Sequence, residues 1–293
     1  MSHAPYHGLI LLYTLIIASS FPIGAIITQE VDSLWLTWVR FALATLLFSP
    51  LLFFRQSPPK LPSLRDWGRY FLVGGAYSLY FIAMFEALKH TSSLNTGALY
   101  TTVPFLSAAL TWVILGQKTS VRRFTLMSIA LLLVLWVIFR GSWELLKSFE
   151  LSAGDGVFIG GCLTMAAYIP LSKRLYRGEG VKNFTFWTLL ASTLILTLFA
   201  LPQIFTLSPL SIRPALWGWI AYLAFFSTCV TFFITQITAR FLSPVEILSY
   251  TYLTPGFIVI LDWLFKGMIP SYSTLLAIFA LGGFVYWIGR LKE

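Results

Sequence analysis

Long apolar stretches, separated by short groups of polar, charged or turn-forming residues, run the whole length of the chain. Roughly 20 helical residues cross a hydrocarbon core about 30 Å thick, and a core helix of a soluble protein does not need that length. The pattern therefore predicts an all-α membrane protein with ten transmembrane helices. They are expected at roughly 6–28, 34–54, 67–88, 92–115, 121–140, 155–175, 183–202, 214–239, 243–265 and 270–289.

The composition indicates that lipid is the solvent for much of the surface. Hydrophobic residues make up 58% of the 293 residues and charged residues only 11%, which is too little charge to cover a soluble fold. Cys162 and Cys229 each lie within an apolar stretch and are interpreted as small hydrophobic side chains. His3, His7 and His90 are scattered, without the spacing of metal ligands. We therefore expect no metal, cofactor or disulfide.

The positive charge is unevenly placed. A net charge of +9 would by itself also suit a nucleic-acid-binding protein. If the N-terminus is cytoplasmic, 14 of the 20 Lys and Arg residues fall in cytoplasmic segments, five fall on the opposite side, and Arg40 lies within the second span. Basic residues concentrate on the cytoplasmic side of membrane proteins. We therefore expect a multi-pass protein of a bacterial inner (cytoplasmic) membrane, with both termini in the cytoplasm and no nucleic-acid partner.

This topology predicts the outcome of reporter fusions. A fusion after Gln56 or after Glu179 should report a cytoplasmic location, and a fusion after Ser148 an external one. The measurement is the activity of compartment-specific reporters in cells. A cytoplasmic signal at Ser148 would contradict both the topology and the inverted repeat described next.

The second half of the chain repeats the first. A shift of 151 residues lays the third to fifth spans over the eighth to tenth and pairs Pro104 with Pro255, Trp112 with Trp263, Gly116 with Gly267 and Trp136 with Trp287. We expect a first repeat at 1–141, an external linker at 142–154 and a second repeat at 155–293. Because five spans is an odd number, the second repeat enters the membrane the opposite way. Inverted repeats around a central cavity are typical of secondary transporters.

Prolines recur at matching places in the two repeats. Pro104 and Pro255 align in the fourth and ninth spans, and a nearby shift pairs Pro22 with Pro170 in the first and sixth. A proline removes a backbone hydrogen bond and bends a helix. We expect hinges at these four positions beside the cavity. The alternative is that prolines are simply common in membrane helices.

Charged and strongly polar groups inside a span are costly and normally face a partner or a cavity. Arg40 is expected to extend to the interface or to pair with Glu86 or Asp262, and direct substrate contact is the alternative. Asn95 and Glu246 occupy equivalent positions near the starts of the fourth and ninth spans. Because the helix dipole stabilises a carboxylate there, Glu246 is either a helix cap or a proton or cation site.

Aromatic and polar side chains within the spans are the candidates for lining the cavity. A tyrosine in mid-span cannot face lipid cheaply, because its hydroxyl needs a partner. The predicted cavity residues are Tyr77, Tyr80, Phe81, Met84, Asn95, Tyr100, Tyr168, Gln236, Glu246 and Tyr250. Ordinary packing is the alternative for each. Gly156 and Gly160 form a GxxxG spacing, which predicts close helix packing and leaves a homodimer open.

Four segments resemble a known family. They are Trp-Val-Arg40-Phe-Ala-Leu-Ala in the second span, Ser-Leu-Asn95-Thr-Gly-Ala-Leu-Tyr-Thr-Thr-Val-Pro104 in the fourth, Ala167-Tyr168 in the sixth, and Ser243-Pro244-Val-Glu246 leading into Tyr252-Leu-Thr-Pro255 in the ninth. With the layout of the spans, they resemble the drug/metabolite transporter superfamily, specifically its ten-helix EamA-type branch. Where that family usually has Gly-Glu after the fourth and ninth spans, this chain has Gly116-Gln117 and Gly267-Met268. Ser19-Ser20-Phe21 replaces an aromatic residue common in the first span.

The resemblance implies a secondary transporter and not an enzyme. We expect efflux or exchange of a small organic metabolite, an amino acid or related amphipathic solute, by alternating access. The alternative is an intramembrane enzyme or a channel. Ser152-Ala-Gly-Asp155 is similar to an intramembrane aspartyl-protease motif, but the motif's first glycine is absent and no second aspartate motif accompanies it. No nucleotide-binding loop is present in the sequence, and the expected partners are the solute and the bilayer.

Overall fold

The computed structural model describes residues 4–53, 61–91, 93–139, 141–147, 152–206 and 212–291. Within these ranges ten helices are long and apolar enough to cross a membrane, and the predicted all-α class with ten spans is confirmed. The spans are α1 (Ala4–Ile27), α2 (Ser33–Phe53), α3 (Leu64–Ala87), α4 (Asn95–Leu115), α5 (Val121–Ile138), α6 (Ala153–Leu175), α7 (Val181–Thr206), α8 (Pro214–Thr238), α9 (Pro244–Phe265) and α10 (Tyr272–Gly289). The fusion sites Gln56 and Ser148 lie outside the described residues.

Polar residues at the helix ends act as caps. Ser152 and Asp155 form a reciprocal capping box at the start of α6, in which each side chain accepts a hydrogen bond from the other residue's backbone N–H. The Ser152–Asp155 segment is therefore a helix start. Gly116 and Gly267 follow α4 and α9 with φ of 72° and 67°, the left-handed conformation that glycine adopts without strain.

The helices form two inverted five-helix repeats, with α1 corresponding to α6, α3 to α8 and α4 to α9. We call the end of the bundle at which α1 begins the near end, and the other the far end. The two repeats are packed unequally. α6 lies along α3 and α4 over a larger contact than α1 makes with α8 and α9, the equivalent helices. One side of the bundle is thus tightly closed and the other is looser.

Glycines set the closest helix approaches. A Cβ added at Gly161 on α6 would lie 2.7 Å from Ala83 Cβ on α3, and one at Gly74 on α3 would lie 2.8 Å from the backbone oxygen of Thr188 on α7. A Cβ at Gly156 or Gly160 would meet nothing within 4 Å. The GxxxG pair therefore makes no close contact among the described residues, which corrects the packing predicted for it. The homodimer stays a prediction.

Three spans contain irregular turns near the middle of the bundle. α4 is interrupted by a turn at 101–102, and α9 passes through a 3₁₀ segment at Tyr250–Leu253. Pro104 and Pro255 each occupy one of the first two positions of the helical segment that follows the interruption, where a missing backbone N–H costs least. A π-helical segment, Phe225–Val230, interrupts α8. By contrast, α1 and α6 continue through Pro22 and Pro170 without a break.

Candidate functional site

An aromatic cluster fills the middle of the bundle. The Tyr77 ring lies 4.5 Å from the Tyr168 ring, 4.8 Å from Phe232 and 5.0 Å from Phe81, measured between centroids. We define the central aromatic cluster as Tyr77, Tyr80, Phe81, Tyr100, Tyr168 and Phe232, contributed by α3, α4, α6 and α8. Every side chain of this cluster is fully buried. The structure brings together five of the predicted cavity residues here.

A polar chain connects this cluster to the near end. Gln236 on α8 donates a hydrogen bond of 2.9 Å to the Tyr168 hydroxyl and accepts one of 2.6 Å from Ser172 on α6. Arg240 donates to the same Gln236 oxygen at 3.2 Å and stacks 3.8 Å from the Tyr176 ring centroid. Burial lowers the pKa of the Arg240 guanidinium below its ordinary value. These hydrogen bonds hold α6 and α8 together on the near side of the cluster.

Several hydroxyls in this region have spare hydrogen-bonding capacity. The buried hydroxyls of Tyr13, Tyr80 and Tyr100 interact with one another, and those of Tyr13 and Tyr100 make no well-aligned hydrogen bond among the described residues. Tyr80 also donates to the sulfur of Met84, at 3.6 Å. Tyr77 shares a 3.3 Å hydrogen bond with Thr231. Buried polar groups normally form well-aligned hydrogen bonds, so these weakly bonded hydroxyls are candidate contacts for a ligand. Tyr13 was not among the cavity residues predicted from the sequence, although it is also a tyrosine in mid-span.

Arg40 borders the cluster from α2. Its Nη2 donates to Thr228 Oγ1 at 2.9 Å and to Ser227 Oγ at 3.3 Å, both in the π-helical segment of α8. Its guanidinium carbon lies 4.4 Å from the Phe81 ring centroid and 4.8 Å from that of Phe85. The side chain is fully buried, so it does not extend to the interface.

The ion pair predicted for Arg40 is not formed. Glu86, at the far end of α3, accepts hydrogen bonds from Ser33 and from Lys89, the latter at 2.8 Å. Asp262 lies on α9 at the border of the far-end cleft described below. The sequence could not decide this, because the facing side of each helix depends on its rotation in the bundle.

Glu246 combines two structural contacts at the near end. It accepts a 2.7 Å hydrogen bond from the Ser243 backbone N–H in a capping box, as the cap interpretation predicted. Its other oxygen pairs at 3.3 Å with Arg123 on α5, which is itself buried and donates to the Leu291 backbone oxygen. From the sequence, Arg123 was expected only to be one of the basic residues on the cytoplasmic side.

Two further cavity candidates lie away from the centre. Tyr250 shares a 3.0 Å hydrogen bond with His7 at the near end. Asn95 begins α4 at the far end, opposite to Glu246, as an inverted repeat requires of equivalent residues. The structure thus distributes the predicted site over the centre and both ends. Among the described residues, no three His, Cys, Asp or Glu side chains are grouped as a metal site would require.

A cleft of about 630 Å³ opens between α1, α8 and α9 in the far half of the bundle. Its lining is largely apolar, and its polar residues are Asp262 and the pair Ser19 and Tyr222, which share a 2.7 Å hydrogen bond. Of the residues chosen from the sequence, Pro22 and Asp262 line it. The cleft lies where α1 packs loosely against α8 and α9. The equivalent packing of α6 against α3 and α4 is tight.

The sequence of the chain matches the model of a known transporter family. The model of the EamA-like transporter family matches residues 5–139 and 152–290. The chain belongs to the EamA-like transporter family. It is accordingly an integral, multi-pass membrane protein of a family of transporters, and the predicted resemblance is confirmed.

Similar proteins are known from a bacterium and an archaeon. The uncharacterized transporter YyaM of Bacillus subtilis is 28% identical over 197 residues, which cover 64% of this chain and 62% of that protein. The chain therefore matches less than two thirds of YyaM. An uncharacterized transporter of Archaeoglobus fulgidus is 24% identical over 280 residues, 95% of this chain and 93% of that protein. One crystal structure superposes with a TM-score of 0.76 over 99% of both chains at 16% identity, which shows the shared fold alone.

The matched breaks in α4 and α9 predict a role for their prolines in transport. Replacing Pro104 or Pro255 with Ala should slow flux more than it lowers expression, because alanine favours a continuous helix across the break. Pro202, an exposed proline within unbroken α7, is the matched control and should tolerate alanine. The measurements are flux per folded protein and yield after size-exclusion chromatography. Parallel losses of yield and flux would identify the prolines as packing residues instead.

Proposed function

We propose that this EamA-type protein is a secondary carrier of a small organic solute, an amino acid or related amphipathic compound, in efflux or exchange by alternating access. The solute occupies the region of the central aromatic cluster. Aromatic faces there stack on an apolar body, and the hydroxyls of Tyr13 and Tyr100 offer hydrogen bonds. No ATP-binding loop occurs in the sequence, so the energy comes from a gradient or from exchange.

The unequal packing of equivalent helices is the observation that carries this proposal. A carrier built from inverted repeats exposes its site to one side when its repeats adopt different arrangements, and to the other side when they exchange those arrangements. Here α6 is closed on α3 and α4, and α1 is loosely packed on α8 and α9, with the cleft between them. The interruptions in α4 and α9 supply places at which such helices bend.

The proposal puts the near end in the cytoplasm of a bacterial cell, which the distribution of basic residues supports. Charged contacts hold that end closed. Arg69 at the start of α3 donates to Glu179 and, at 2.9 Å, to the Leu175 backbone oxygen, and Lys173 donates at 2.8 Å to that of Leu242. The present conformation is therefore proposed to be the one closed toward the cytoplasm.

Flux into proteoliposomes tests the proposal. The panel contains amino acids, nucleosides and cationic drugs, and a carrier gives saturable uptake and counterflow for at least one of them. Gln236→Leu removes the hydrogen bond to Tyr168 and should weaken transport about fivefold. Thr125→Val, at an exposed position of α5 whose hydroxyl bonds only its own helix, is the control.

The other classes give different results in the same assay. A channel passes solute without saturation or counterflow, and an enzyme changes the solute without net flux. If no solute of the panel moves, the proposed substrate class is wrong. If Gln236→Leu leaves the flux unchanged, the solute does not pass through the central aromatic cluster.

A further inference from the structure

Arg40 brings a positive charge into the interior of the bundle without a carboxylate beside it. None of the described Asp and Glu residues forms an ion pair with Arg40. Its neighbours are two neutral hydroxyls, Ser227 and Thr228, and two aromatic faces, Phe81 and Phe85. These groups orient the guanidinium but do not balance its charge. A charged side chain at this depth is costly, and it normally marks a substrate or ion pathway.

The guanidinium also has unused donors. Nη2 makes both hydrogen bonds to α8, whereas Nε and Nη1 have no hydrogen-bond partner among the described residues. Arginine is the side chain best suited to hold a carboxylate, because its planar N–H groups form short, charge-assisted hydrogen bonds. One guanidinium balances a single negative charge, which favours a carboxylate over a doubly charged phosphate.

Phe81 connects this charge to the central aromatic cluster. The same ring faces Arg40 at 4.4 Å and lies 5.0 Å from the Tyr77 ring and 4.9 Å from the Tyr80 ring. A solute with a carboxylate at Arg40 would therefore have its apolar body among these tyrosines. The buried positive charge and the central aromatic cluster therefore lie side by side.

The geometry points to Arg40 as the residue that binds the carboxylate of the transported solute, whose aromatic or apolar body the central aromatic cluster receives. This deepens the proposed function and rests on it. The substrate class becomes small organic acids and amino acids with a free carboxylate, and cationic drugs are excluded.

Access to Arg40 depends on α1. Gly24 of α1 packs against Phe85, and a Cβ there would lie 2.7 Å from that ring. α1 therefore packs against one of the two rings that Arg40 faces, and the same helix borders the far-end cleft. Movement of α1 away from α3 would expose the guanidinium from the far end.

Thermal unfolding of the purified full chain in detergent tests the assignment without relying on transport. A ligand that binds only the folded protein raises the Tm. The probes are two acids with matched amides: phenylacetate with phenylacetamide, and L-phenylalanine with L-phenylalaninamide. The acids are expected to raise the Tm of the wild type in a saturable manner, and the amides at least tenfold less effectively. Arg40→Gln should lose this preference, whereas Arg213→Gln, which removes an exposed far-end arginine, should keep it.

Defined results would overturn the assignment. They are equal stabilisation by acids and amides, no stabilisation by either acid, or an acid preference that persists in Arg40→Gln. If Arg40→Gln does not fold, Arg40→Lys replaces it, with a weaker but still acid-selective shift expected. Acid-selective stabilisation without flux of any solute would contradict the carrier function and leave the carboxylate site standing.

Discussion

Gly74→Ala is expected to destabilise the protein by about 3 kcal/mol, the upper range for overpacking a close contact. An added Cβ would clash with Ser192 Oγ and would lie 2.8 Å from the Thr188 backbone oxygen on α7. Ser192 could rotate, but the backbone oxygen cannot move without displacing its helix. Since α7 also packs against α2, the disturbance spreads to two helix contacts. The measurement is the apparent Tm in detergent.

Gly75→Ala is the matched control for this prediction. The added Cβ would have its nearest neighbour, Ile195 Cδ1, at 3.7 Å, an ordinary van der Waals distance. The position lies in the same helical turn and changes by the same methyl group, so helix propensity is equal in the two variants. Gly75→Ala should be neutral, or stabilising by up to about 1 kcal/mol. Similar Tm values for the two variants would show that α3 and α7 are not held as closely as the structure indicates.

Glu246→Gln is also expected to have a large effect. It should lower the stability of the protein and abolish the coupling of transport to a proton gradient. Removing the negative charge deprives buried Arg123 of an ionic partner, at a cost of about 1–3 kcal/mol for a pair partly open to solvent. A glutamine oxygen still accepts from Ser243, so the helix cap itself changes little. If Glu246 carries the coupling proton, glutamine cannot change charge, and accumulation driven by a pH gradient is lost while solute exchange remains.

Glu179→Gln separates the two effects of Glu246→Gln. Glu179 pairs with Arg69 at the same end of the bundle with similar burial, but it lies in the loop between α6 and α7 and not within a span. The Glu179→Gln protein should lose about as much stability as Glu246→Gln, but it should still accumulate solute when a pH gradient is applied. The measurement is uptake into proteoliposomes with and without a gradient, using a solute found in the flux panel. If the Glu246→Gln protein still accumulates solute under a pH gradient, Glu246 serves only as a helix cap and as the ion-pair partner of Arg123.

Features set by short segments were predictable from the sequence. Ten spans follow from the length of each apolar run, because any such run must satisfy its backbone within the bilayer as a helix. The interruptions before Pro104 and Pro255 fall where proline, which lacks a backbone N–H, favours the start of a helical segment. A proline does not by itself require a break, because α1 and α6 continue through Pro22 and Pro170. The pairing of Gly116 with Gly267 likewise predicts two equivalent helix ends, and both are left-handed glycines.

Features set by the rotation of each helix were not predictable. The α6 sequence offers Gly156, Gly160 and Gly161 as packing positions, and only the last makes a close contact among the described residues. Likewise, the sequence identifies Arg40 as anomalous but predicts the wrong partners for it. Its actual neighbours on α8 lie 187 and 188 residues away, in a π-helical segment with no evident sequence signal.

The sequence by itself thus determined that the protein lies in a membrane, how many spans it has, that its two halves repeat, and which family it belongs to. Each of these depends on hydrophobicity and residue type along the chain. Only the tertiary structure decided that Glu246 meets Arg123, that the tyrosines of three different helices form one cluster, and that α1 is loosely packed where α6 is tight. Those contacts depend on the balance of packing between distant helices. Hydrophobic patterning constrains that balance weakly in a bundle whose outer surface is also apolar.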